Sequence, residues 1–194
     1  MNKRPYRMTA RADEALRTGD RIIDAMLQRY GALPYDRIRL EDVAADAQVT
    51  AQTVLRRFGS KAGLTVAMAE RELGRIAAAR GSVAGAGCAA TMASLAEHYE
   101  KYGALILKMY SEVRVVPGLA ELAVRGREYH VRWCADAFDL ASAGDGPTRE
   151  RRLAQVVAVC DARTWAILRL ESKLSAAQTG LALHEMLAPL VTDG

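Results

Sequence analysis

Between Thr50 and Phe58 the sequence reads TAQTVLRRF, and its polar side chains are of the kinds that pair with nucleobase edges. The major groove of DNA presents donors and acceptors that glutamine, threonine and arginine complement. Helical spacing turns Val49, Val54 and Phe58 to one side and leaves Ala51, Gln52, Thr53, Arg56 and Arg57 on or near the other. In a helix lying in a groove, the N-terminal residues contact the bases. Gln52 and Thr53 are therefore the candidate base readers; Arg56 reaches base or phosphate, and Arg57 suits a phosphate at the groove wall. Lys61, one turn into the next helix, adds a cation where free amides also point outward, and both suit a phosphate. A solvated surface helix carries the same residue types, so this segment alone leaves both readings open.

Elsewhere the reactive residues are scattered. His98, His130 and His184 form no H-x-x-x-H or Glu-x-x-His pair, which argues against zinc and di-iron sites. Cys88, Cys134 and Cys160 are odd in number and far apart, as expected of a reduced, cytoplasmic protein. Neither a G-x-S-x-G elbow nor a phosphate-cradling glycine loop occurs. A protein that is not an enzyme, with no cofactor and no metal, is the expectation.

The elements that must hold TAQTVLRRF are legible around it. Taking Leu40 as the first position of a helix-turn-helix unit puts Val43, Ala44 and Ala47 on one face, small enough for two helices to cross closely. Helices are predicted over 40–47 and 50–58, with the Thr50 hydroxyl capping the second. Before them, Leu16, Ile22, Ile23, Met26, Leu27 and Tyr30 recur at helical spacing over 11–30 and face a core, and Gly31 and Pro34 end that helix. Ser60 caps a fourth helix reaching Arg80. The glycine-rich run 81–87 then marks a loop. Further helices are predicted at 88–102, 104–114, 117–142, 149–171 and 175–191; Pro117 opens one of them, GDGP at 144–147 forms a loop and Ser175 caps the last.

The chain of 194 residues could bury one sizeable core or two small ones, and 51% hydrophobic with 26% charged residues is ordinary for a globular protein. An all-α fold follows from abundant alanine, leucine and arginine and the lack of period-two β-branched runs. Charge is uneven: residues 1–80 hold 15 Lys/Arg against 10 Asp/Glu, and the remainder 12 against 13. Lys3, Arg4, Arg7 and Arg11 meet no acid, so a basic N-terminal arm facing a polyanion is expected. MNKRPYRMTA has no apolar segment behind it, which argues against a signal peptide, and the uncharged run 81–96 is too short and too weakly apolar to span a bilayer.

At this point the residues resemble a family. VAADAQVTAQTVLRRFGSKAGL, preceded by a helix with Ile22, Ala25, Met26 and Tyr30-Gly31, is similar to the N-terminal signature of TetR-type (tetracycline repressor) transcriptional regulators over residues 20–64. DARTWAILRLESKLSAAQTGLALHEMLAPLV is more loosely similar to the last two helices of that family, which build its dimer interface. Four positions depart from the family pattern. Gln48 replaces the turn glycine, Leu55 replaces a tyrosine that often meets phosphate, and Arg57 stands where histidine is usual. Arg39 lies near the place of a threonine that normally starts the second helix, and it joins the DNA-facing candidates.

The resemblance implies a DNA-binding domain over 1–60 and a ligand-binding and dimerisation domain over 61–194, linked through a helix at about 60–80. It also implies a pocket for a small, mostly apolar effector, for which Met92, Leu95, His98, Tyr99, Met109, Tyr110, Tyr129 and Trp133 are the candidates. Val157, Trp165, Leu168, Leu183, Met186, Leu187 and Leu190 are expected at a four-helix seam between two copies. The expected protein is a homodimeric regulator, a repressor in the commoner family mode, that binds a palindromic double-stranded operator, is released by its effector and does not engage a membrane. The alternative is a helical binding or scaffold protein that keeps the fold without operator recognition.

Overall fold

The 3.6-residue periodicity is realised as helix along nearly the full described chain, and no strand occurs among the described residues. The computed structural model describes residues 4–81, 87–140 and 145–191, with side chains from Asp13 onward. The helices are α1 (Arg4–Ala32), α2 (Leu40–Asp46), α3 (Ala51–Phe58), α4 (Lys61–Gly81), α5 (Cys88–Glu112), α6 (Leu119–Ala137), α7 (Gly146–Val159), α8 (Ala162–Ala166) and α9 (Ala176–Val191). A 3₁₀ turn, Tyr35–Arg37, precedes α2, and a π-helical turn, Ile167–Glu171, continues α8.

Two compact units result. The first joins the chain up to Arg71 with Glu112–Leu122, and the second contains Glu72–Ser111 and the chain from Ala123 onward. The first unit buries Ile22, Ala25, Met26 and Tyr30 of α1 with Val43, Ala44 and Ala47, Val54, and Leu64 and Met68. Alanine at 44 and 47 lets α2 lie close to its neighbours, because a larger side chain would fill the crossing. Arg29 locks α1 to α2 through both oxygens of Asp46, at 2.5 and 3.0 Å. Leu16, expected in the core, is 62% exposed, since the inward stripe of α1 begins only at Gly19.

The second unit has its core in Met92, Leu95, Tyr99, Cys134, Val156, Trp165, Leu183 and Leu187. Several boundaries differ from the sequence expectation, three of them for a reason visible in the packing, caps or backbone. First, α5 is one helix through Gly103, not two with a break there. The glycine serves packing: a Cβ on it would lie 2.5–2.9 Å from three ring atoms of Trp165. Second, the helix expected over 149–171 stops at Val159, because Asp161 starts another by accepting from the Arg163 amide at 2.9 Å. Third, Pro117 precedes α6 instead of opening it, with Gly118 at φ +84° between them. The predicted caps at Ser60 and Ser175 form, to the amides of Gly63 at 3.0 Å and Gln178 at 3.2 Å. Of the predicted loops, residues 82–86 of the first and Gly144 of the second lie outside the described residues; the rest of the second is not loop, because Asp145 caps α7 and Gly146 and Pro147 form its first turn.

Candidate nucleic-acid interface

Helix α3 is held from behind and open in front. Val54 is fully buried and Phe58 half-buried, while Gln52, Arg56 and Arg57 are exposed and Thr53 is half-buried. Gln52, Thr53 and Arg56 share the outward face of a two-turn helix that a major groove can admit, with Arg57 at its edge. Thr50 caps the helix by accepting from the Thr53 amide at 3.2 Å, and its hydroxyl lies 2.9 Å from that of Thr53. Thr53 is therefore tied to the cap, which leaves Gln52 as the freer base-reading candidate on this face. Leu55 is 39% exposed beside them, an apolar group where the family resemblance implied a phosphate contact.

The turn that aims α3 is strained. Gln48 has φ 56°, the left-handed region that costs a residue with a Cβ about 1–2 kcal/mol. The turn is held by the Gln48 amide on Ala45 O at 3.1 Å and the Val49 amide on Ala44 O at 2.9 Å. At the other end, Gly59 takes φ +76° as its amide donates to Leu55 O at 2.8 Å. Gly63 packs so closely under the Phe58 carbonyl that no Cβ would fit.

Arg57 reaches back across α1. Gly19 is buried and its missing Cβ leaves the space that the Arg57 guanidinium occupies. This partner was not foreseen from sequence; a glycine inside a long amphipathic helix was the available signal. Lys61 departs further from its expected role. Its ammonium donates to the carbonyls of Tyr35 at 2.9 Å and Ile38 at 3.0 Å and lies 4.3 Å from the Tyr35 ring centroid. Two of its donors thus fasten the 3₁₀ turn to α4 in place of the expected phosphate. Arg39 occupies the N-cap of α2 with no side-chain cap bond and is exposed, within 3.8 Å of Glu41. Of the basic arm, Lys3 lies outside the described residues, as do the side chains of Arg4 and Arg7, whose backbone belongs to α1.

The second unit contains a separate cavity of about 260 Å³. It gathers three of the pocket candidates, Leu95, His98 and Trp133, with Arg80, Glu97, Lys101 and Tyr102, which the sequence reading did not select. Met92 and Tyr99 are core side chains, at 0% and 2% exposure, and neither lines this cavity. Met109 packs against the core, Tyr110 lies under Arg163, and the Tyr129 hydroxyl donates to Ala77 O at 3.1 Å. Among the expected interface residues, Trp165, Leu183 and Leu187 are corrected to core: each is under 5% exposed within its own subunit, so none has surface left for a partner. Val157, Leu168 and Leu190 are half-buried, and Met186 is exposed. Leu181 and, not selected from sequence for the seam, Ile167 and Leu170 are each at least half exposed.

Among the described residues no group of three or more His, Cys, Asp or Glu could hold a metal, and no helix is long and apolar enough to cross a membrane. No family model and no curated protein matches the sequence. Solved structures do match. A transcriptional regulator from Rhodococcus sp. Rha1 is similar with a TM-score of 0.73 at 16% identity, covering 89% of this chain and 95% of that one. A protein described as a TetR-family transcriptional regulator from Rhodococcus sp. gives 0.67 at 18% identity, covering 91% of this chain and 99% of that one. A TetR-family regulator from Streptomyces coelicolor A3 gives 0.53 at 19%, covering 100% of both chains. At these identities the likeness is one of fold: the chain has the all-helical fold of TetR-family regulators.

Proposed function

We propose that this chain is a DNA-binding transcriptional regulator of the TetR family, acting in the cytoplasm as a homodimer on a palindromic operator. The observation that carries this reading is the outward face of α3, where Gln52, Arg56 and Arg57 are uncovered while Val54 anchors the helix from behind. Gln52 and Arg56 read base edges, Arg57 meets phosphate, and Thr50 and Thr53 set the helix start that presents them. Arg39 and the arm with Lys3, Arg4 and Arg7 add positive charge near the duplex.

A two-fold partner reads the second half-site, about one helical turn or more away. Exposed Ile167, Leu170, Leu181 and Met186, on the π turn and α9, support a seam between two copies at this end of the chain. A small effector in the body releases the operator, so the chain acts as a repressor. The coupling between effector and operator is reciprocal, typically about 1–3 kcal/mol.

The test is selection of bound sites from a random duplex pool, expected to yield a palindrome. Replacing Gln52 by Ala should then alter preference at one base pair by about 1–3 kcal/mol. A pool that emerges unenriched overturns the regulator reading, and equal losses on every sequence remove Gln52 from base reading.

A further inference from the structure

A guanidinium without an anionic partner is buried in the second unit. Arg80, near the end of α4, is 6% exposed. Its Nη2 donates to the Tyr99 hydroxyl at 2.9 Å and its Nη1 to His130 Nδ1 at 3.0 Å, while its Nε–H has no hydrogen-bond partner. The aromatic faces of Trp133 and Tyr99 lie 5.1 and 5.4 Å from its central carbon. No carboxylate is among these partners. Cys134 Sγ lies 3.8 Å from Nε2 of the same His130 ring, and its thiol pKa is pushed down to about 6, chiefly by the hydrogen bond with Cys160 and to a smaller extent by His130 and Arg80. A buried cation is costly unless an opposite charge compensates it, so this arrangement favours any anion that can reach it.

Such a route exists, because Arg80 lines the cavity of about 260 Å³. His98 lines it too and is itself buried with Nε2 unpartnered. Burial, then Arg80 and Lys101, hold the His98 imidazolium down to a pKa of about 3, so the ring is neutral at pH 7 in a positive surrounding. Lys101 and Glu97 stand exposed at the cavity edge, where water screens both, and Tyr102 and Trp133 supply apolar walls. The volume falls just below the roughly 300–1,000 Å³ of typical small-molecule sites, which limits the occupant to a small acid.

We propose that this cavity binds the carboxylate of a small acid with an apolar body, Arg80 supplying the counter-charge, His98 a further hydrogen bond, and Tyr102 and Trp133 the walls. A planar carboxylate matches the guanidinium fork, and the apolar body displaces water from the aromatic faces. The inference names the chemistry of the effector in the regulator proposed above, and it rests on that reading only for the consequence at DNA.

The experiment uses the full chain without DNA and follows thermal shift and tryptophan fluorescence with benzoate, hexanoate and the corresponding neutral amides. At least one acid is expected to bind saturably and about tenfold or more tighter than its amide, as a charge-assisted bond implies. Arg80→Met should fold, by circular dichroism, and lose that preference. Binding should also move the His98 imidazole titration upward in NMR spectra, because a bound anion offsets the cations that depress it. Equal binding of acids and amides, no saturable response to either acid, or wild-type binding by Arg80→Met would each overturn the proposal. Saturation by inorganic phosphate alone would overturn the apolar body. Acid binding that persists in a protein selecting no operator would sink the regulator reading and leave this site standing.

Discussion

Single side chains around α3 carry three distinct physical tasks that look alike in sequence. Gln48 tolerates a left-handed backbone so that α3 can leave the turn at the required angle. Gln48→Gly should relieve the Cβ conflict and stabilise the protein by about 1 kcal/mol, measured as a higher urea midpoint with unchanged slope. Arg57 and Lys61 are both cations beside the helix, yet only Arg57 is exposed, while Lys61 has backbone carbonyls as partners. Arg57→Ala should lower the salt slope of operator affinity by about one unit with little change in melting temperature. Lys61→Met should do the reverse, lowering the melting temperature because two carbonyls lose their donor, with the salt slope retained. A slope that falls equally in both variants would return Lys61 to a phosphate.

Helix junctions are set by a few close approaches. Trp165 lies over Gly103 and donates its indole N–H to Glu100 at 3.1 Å, and Arg169 reaches the same carboxylate at 3.0 Å. Gly103→Ala raises intrinsic helix propensity, yet it should destabilise by about 1–3 kcal/mol, because the new methyl collides with a rigid ring. Denaturant unfolding monitored by Trp fluorescence checks the sign, and a stabilised variant would show that the ring can move aside. The Arg29–Asp46 pair joining α1 to α2 sets a pH dependence. Its hydrogen bond from Arg29 holds the Asp46 carboxyl below its usual range. A depressed folded pKa means the contribution is present above the unfolded carboxyl pKa and is lost as pH falls through the folded one. Asp46→Asn should therefore lower the melting temperature at neutral pH and match the wild type in acid.

Assembly is a property of surface that one copy leaves uncovered. Ile167, Leu170, Leu181 and Met186 are 51, 52, 50 and 46% exposed, and all fall within twenty residues of chain near the C-terminus. Leu170→Asp with Met186→Asp should shift sedimentation toward the monomer and weaken operator binding, while leaving helix content unchanged. A double variant that remains dimeric would place the seam on another face.

Much of this was legible before any coordinates. The small face of Val43, Ala44 and Ala47, the Thr50 cap and the inward Val54 each followed from periodicity and cap chemistry, and all are found in place. Helix ends proved harder, because Gly103 reads as a breaker until Trp165 is seen resting on it, and 149–171 reads as continuous until Asp161 caps a new start. Local sequence determined which segments are helical and which polar edge of α3 could meet a duplex, since both depend on neighbours three and four positions apart. Only the tertiary structure decided which apolar residues stay outside, what holds Lys61, and that Arg80 lies buried without an anion. Those facts depend on contacts between residues distant in the chain, whose loss of water no local pattern records.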